Sequence, residues 1–129
     1  RTAINILSNN KKGFFLMVEG SQIDWGGHAN NTPYVVEEML DLDRAIGEAL
    51  AFAARDRETL VIITADHETG GMSITDGNLY TGKVQGSFTS DDHTPVMVPI
   101  FAFGPGASEF TGIMDNTDVN KKMRQLLFK

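Results

Sequence analysis

Leu60-Val61-Ile62-Ile63-Thr64 runs directly into Ala65-Asp66-His67-Glu68-Thr69-Gly70-Gly71. The first five residues are an apolar run rich in β-branched side chains, which predicts a buried strand. Asp66 and His67 then stand just past its carboxyl end, where open α/β sheets collect their binding sites. Upstream, Val35, Met39, Leu42, Ile46, Leu50 and Ala53 recur at three- and four-residue steps, so a helix with one apolar face is predicted from Thr32 to about Ala54. Thr32, with Pro33 behind it, suits the N-cap and first helical position. Phe14–Val18 is another apolar run and a further predicted strand, and Ser21 is placed to cap a short helix through Asn30. Downstream, Met72–Ser90 combines Gly77, Gly82 and Gly86 with polar alternation, the pattern of a hairpin or excursion. Val96–Phe103 is the third predicted strand, with Pro99 marking an edge or a bulge. Asp115–Phe128 reads as a closing helix with Val119, Met123, Leu126 and Leu127 inward. Strands alternating with helical patterns predict the α/β class: one domain over 1–129, a partial three-layer α/β/α sandwich around a mostly parallel sheet.

The 129 residues carry 11 Lys+Arg against 17 Asp+Glu, a formal net charge of −6. An acidic chain with scattered basic residues offers no patch for nucleic acid or anionic lipid. Hydrophobic residues make up 41% of the chain, enough for a core and too many for general disorder. No apolar run approaches the ~20 residues that a membrane helix needs. Cysteine is absent, which removes disulfides, zinc fingers, iron–sulfur clusters and thiol nucleophiles together. No Gly-x-x-x-x-Gly-Lys-Ser/Thr phosphate cradle occurs. The chain starts at Arg1 within a helix-like pattern (Ala3, Ile4, Ile6, Leu7), which reads as a piece of a longer protein.

The histidines point to the chemistry. His28, His67 and His93 each lie beside a predicted strand end or in a loop, and each is close to an aspartate. Asp24 and His28 are spaced i, i+4, so on a helix both project from one face and can grip one cation. Imidazole with carboxylate suits zinc, which accepts N and O ligands in a tetrahedral shell. Asp66-His67 follows one strand, Glu19 follows another, and His93 comes after Asp91 and Asp92 just before the third. Taken singly, an Asp/His pair at this spacing reads equally as a surface ion pair, and an Asp-His after a strand as a turn. The coincidence of all three histidines with loop-end carboxylates favours metal.

On these residues the sequence resembles the alkaline phosphatases. Val18-Glu19-Gly20-Ser21-Gln22-Ile23-Asp24-Trp25-Gly26-Gly27-His28-Ala29 is similar to the family's E-G-x-x-I-D-x-x-x-H block, Thr64-Ala65-Asp66-His67-Glu68-Thr69-Gly70-Gly71 to its T-A-D-H block, and Asp92-His93-Thr94 to its last histidine block. The blocks fall in family order across nearly the whole chain. The resemblance implies a metal-dependent phosphate monoester hydrolase with two zinc ions and one magnesium. It places Asp24, His28 and His93 on the first zinc, Asp66 and His67 on the second, and Glu19 on the magnesium. It implies a phosphate monoester as substrate, a periplasmic or secreted setting, and a zinc pair acting as a clamp on the entering and leaving oxygens.

The nucleophilic serine, the phosphate-binding arginine and the aspartate shared by the second zinc and magnesium belong to the family's N-terminal half, which no segment here matches. Ser21 and Ser73 do not fit the nucleophile motif. Residues 72–92 form a short excursion where many relatives carry a larger insertion, the crown. The expectation is therefore a C-terminal part, inactive alone and prone to self-association through uncovered edges. Two alternatives stand beside it: a piece of a phosphodiesterase, sulfatase or phosphate mutase of the same superfamily, and a non-catalytic metal-binding module.

Overall fold

The computed structural model describes residues 1–128. Helices form where the apolar spacing is three and four. Helix α1 is Thr2–Leu7, α2 is Gln22–His28, α3 is Thr32–Asp56 and α4 is Asn116–Leu127. The cap of α3 is one residue earlier than the sequence suggests. Asn31 Oδ1 accepts from the Tyr34 backbone N–H at 3.1 Å, whereas Thr32 is already helical and its hydroxyl accepts from the Gly86 N–H at 3.2 Å. Ser21 makes no side-chain cap to α2. Helix α3 ends where Arg57 turns to φ 65°, and Asp56 Oδ2 collects the Glu58 N–H and the Thr59 hydroxyl.

The strands are β1 Val61–Thr64, β2 Glu68–Thr69, β3 Ser73–Asn78, β4 Lys83–Ser87, β5 His93–Thr94 and β6 Ile100–Phe103. They make three two-stranded ladders, β1 with β6, β2 with β5 and β3 with β4, and every ladder is antiparallel. The expected mostly parallel sheet is therefore wrong. A parallel neighbour needs a crossover of a dozen or more residues, usually a helix. Between β1 and β6 the chain passes only through short strands and a hairpin, and it returns in the opposite direction, pairing Val61 with Phe103 and Thr64 with Ile100. Phe14–Val18 forms no regular element and joins no ladder among the described residues. The third strand starts at Ile100, not Val96, because Pro95 and Pro99 have no N–H to give a ladder.

The chain divides into two compact units, each drawn from two stretches of sequence. The first comprises Arg1–Ile46 and His67–Met97. It contains α1, α2, the opening of α3, the β2/β5 bridge and the β3/β4 hairpin, whose tip is tied by Asn78 Oδ1 accepting from the Tyr80 and Thr81 N–H groups. The second comprises Gly47–Asp66 and residues 98–128, and holds the close of α3, β1/β6 and α4. Its buried apolar residues are Ala53 and Phe110, the latter on a 3-10 turn at Ala107–Phe110. Asp115 caps α4 by accepting from the Thr117 N–H and hydroxyl at 2.9 and 2.8 Å. Those bonds hold its carboxyl below the usual carboxylate range. Val119, Met123 and Leu126 are half-buried, but Leu127 is exposed instead of inward. No helix among the described residues is long and apolar enough to cross a membrane.

Candidate metal centre

The first unit gathers the histidines around Asp24. One turn of α2 separates Asp24 from His28, and His28 Nε2 lies 3.4 Å from Asp24 Oδ2. His28 is aimed by its other nitrogen. Nδ1 sits 2.7 Å from the Asp91 carbonyl oxygen, an acceptor only, so Nδ1 carries the proton and Nε2 keeps its lone pair in the neutral ring. This backbone bond is the main reason that the His28 pKa is raised, with Asp24, Asp92 and Asp91 adding to it.

His93 enters from β5. Its Nε2 is 3.5 Å from Asp24 Oδ1, and its ring centroid is 5.0 Å from that of His28. His67 stands just before β2 and stacks on His93, with centroids 3.6 Å apart and planes inclined by 21°. Asp24, His67 and His93 each offer a ligand atom, all within 4.8 Å of one another. Asp24 is half-exposed, and its carboxyl is held below the usual range. The main cause is the Thr69 hydroxyl, which donates to Oδ1 at 2.6 Å; the three imidazoles act in the same direction.

The loops that carry these groups are pinned by backbone bonds. The β2/β5 bridge pairs Thr69 with His93 and Glu68 with Thr94. Glu68 accepts from the Gly71 and Met72 N–H groups and from the Thr94 hydroxyl. Gly70 N–H donates to the Asp92 carbonyl, and the Gly70 carbonyl receives the Thr89 and Ser90 N–H groups. The His93 N–H is held in turn by Asp92 Oδ1 at 2.8 Å.

Of the residues singled out from sequence, the structure thus brings Asp24, His28, His67 and His93 together. Glu19 lies exposed on the irregular segment before α2, outside this group. Asp66 is exposed just after β1. Sequence reasoning missed Thr69, although it lies within the Thr64–Gly71 block, and the Asp91 carbonyl, since a backbone acceptor leaves no trace in residue identity.

The donor set fits zinc. Atoms bound ~2.0–2.1 Å from a tetrahedral ion lie about 3.3 Å from one another. The separations of 3.4 Å from Asp24 Oδ2 to His28 and 3.5 Å from Asp24 Oδ1 to His93 use different oxygens of the carboxylate, and both exceed an ordinary hydrogen bond.

Scaffold and side chains together define an α/β protein with a candidate metal-binding cluster of carboxylate and imidazole groups. Residues 1–85 and 72–128 match the alkaline phosphatase family. Alkaline phosphatase 4 of Bacillus subtilis is 32% identical over 184 aligned positions that take in 91% of this chain and 40% of the relative. The solved alkaline phosphatase of the Antarctic bacterium TAB5 superposes with a TM-score of 0.89 at 47% identity, covering 98% of this chain and 38% of that one. A mutant of the TAB5 enzyme, solved with Mg bound in the M3 site, gives 0.88 at 43% identity, covering 98% and 39%. This chain belongs to the alkaline phosphatase family. It spans about two fifths of the length of these relatives.

Proposed function

We propose that the whole protein hydrolyses phosphate monoesters with two zinc ions and one magnesium, and that this chain supplies Asp24, His28 and His93 to the first zinc, Asp66 and His67 to the second, and Glu19 to the magnesium. The observation that carries the proposal is the pair of 3.4 and 3.5 Å separations about Asp24. A bound zinc pair supplies positive charge for the entering and leaving oxygens of phosphoryl transfer. The chain's own residues bind and orient. Asp24 presents two oxygens, one steadied by Thr69, and the Asp91 carbonyl fixes the ring that His28 offers. Membership of the family favours this reading over a phosphodiesterase, sulfatase or mutase and over a non-catalytic module.

The same reading takes the β3/β4 hairpin as a short counterpart of the crown. In support, the family match divides and overlaps over 72–85, and the 184 positions aligned with the Bacillus enzyme outnumber the 129 residues here.

The test is zinc calorimetry on the metal-free whole protein. His28→Ala is expected to weaken the tightest zinc site by about 100-fold or more, beyond the 10–100-fold that an outer partner commands. Undiminished affinity sinks the assignment. A smaller expectation concerns residues 1–129 alone. Met17, Val18 and Trp25 are 78%, 66% and 62% exposed, and apolar surface of this kind favours association. Light scattering at rising concentration should show dimers or larger species, and a strictly monomeric profile counts against it.

A further inference from the structure

We infer that Thr69 is a positioning residue whose single hydroxyl ties the Asp24 carboxylate to the His67 imidazole and fixes which His67 nitrogen faces a metal. The inference rests on the metal-site reading above and deepens it. Thr69 Oγ1 lies 2.6 Å from Asp24 Oδ1 and 3.2 Å from His67 Nδ1. A hydroxyl has one proton to give, and an ionised carboxylate can only accept. The 2.6 Å contact falls in the range of an O–H donating to a charged oxygen, so the proton lies there. The hydroxyl oxygen is left as an acceptor, and His67 Nδ1 must bring its own proton. His67 Nε2 then carries the lone pair, as a metal ligand requires.

The hydroxyl is not free to choose other partners. Backbone pairing across the β2/β5 bridge sets Thr69 opposite His93. From α2, Gly27 approaches so closely that a Cβ there would lie 2.9 Å from Thr69 Cβ. Thr69 therefore touches Asp24 and His67 through one oxygen and shares the ladder with His93, so three proposed ligands take their relative placement from it.

The experiment uses the whole protein stripped of metal, with zinc and Co2+ as probes. Thr69→Val keeps the shape and removes the hydroxyl. It is expected to weaken zinc binding by about 10–100-fold and to change the visible absorption of the bound Co2+. Thr69→Ser, which keeps the hydroxyl, should restore both. Thermal unfolding of the metal-free forms reports the fold separately. If the valine variant does not fold, Thr69→Ala makes the same comparison without added bulk. Wild-type affinity and an unchanged Co2+ spectrum in Thr69→Val, with both lost in Asp24→Ala, would overturn the role of Thr69 and leave the metal site standing. Failure of serine to restore them would overturn it too. Wild-type zinc binding in Asp24→Ala would remove the metal site and this inference together.

Discussion

Residues 1–129, given p-nitrophenyl phosphate at alkaline pH with added zinc and magnesium, are expected to show no turnover above an Asp66→Ala control. Hydrolysis through the family's route needs an oxygen nucleophile held in line with phosphorus, and a cation that orients the phosphate against it. Neither Ser21 nor Ser73 lies in a nucleophile motif, and the family resemblance assigns the phosphate-binding arginine to a half of the enzyme that no segment here matches. On the proposed assignment Asp66 and His67 would offer a second zinc only two protein ligands, and Glu19 would offer a magnesium one, where closed sites use four and six. What is missing is therefore chiefly positioning, which is worth about 7–11 kcal/mol of barrier when the reacting atoms are held in place. Turnover near that of a full-length relative, abolished by Asp66→Ala, would place the nucleophile within these residues and overturn the reading.

Features with a local cause were legible in the sequence. The apolar spacing of α3 and α4 is set within one helix, and both helices lie where the pattern puts them. The i, i+4 placement of Asp24 and His28 follows from helix geometry alone. Strand direction has no such local cause. Val61–Thr64 reads the same whether its neighbour runs parallel or antiparallel, and only the path from Thr64 to Ile100 decides it. Phe14–Val18 has the composition of a strand, but a strand is also a matter of partners, and it joins no ladder among the described residues. The two-residue bridge that sets Thr69 against His93 is too short to leave an alternating pattern. Asn31 took the cap from Thr32 because both side chains can accept, and the Gly86 N–H engages the threonine.

Gly27→Val in the whole protein is expected to destabilise the fold and weaken zinc binding together. Gly27 is buried within α2, and an ideal Cβ there would lie 2.8 Å from the Thr69 carbonyl oxygen, 2.9 Å from Thr69 Cβ and 3.0 Å from Cγ2. Two of these three atoms are backbone or fixed to it, so no rotamer change relieves the overlap, and α2 must move off β2. Overpacking of this kind typically costs about 1–3 kcal/mol, and valine adds two further carbons at the same point. The displaced helix carries Asp24 and His28, so the 2.6 Å bond from Thr69 to Asp24 cannot survive in place. Zinc affinity should therefore fall by more than the ~10–100-fold expected for loss of that hydroxyl alone. Gly47 supplies the control. It also lies inside a helix, α3, but a Cβ there meets nothing within 4 Å. Alanine is favoured over glycine in a helix interior by about 1 kcal/mol, so Gly47→Ala should raise the melting temperature and leave zinc binding unchanged. Thermal unfolding and zinc calorimetry on both variants decide the matter. A Gly27→Val protein as stable as wild type and equally tight for zinc would show that the close approach of α2 to β2 does not hold the site.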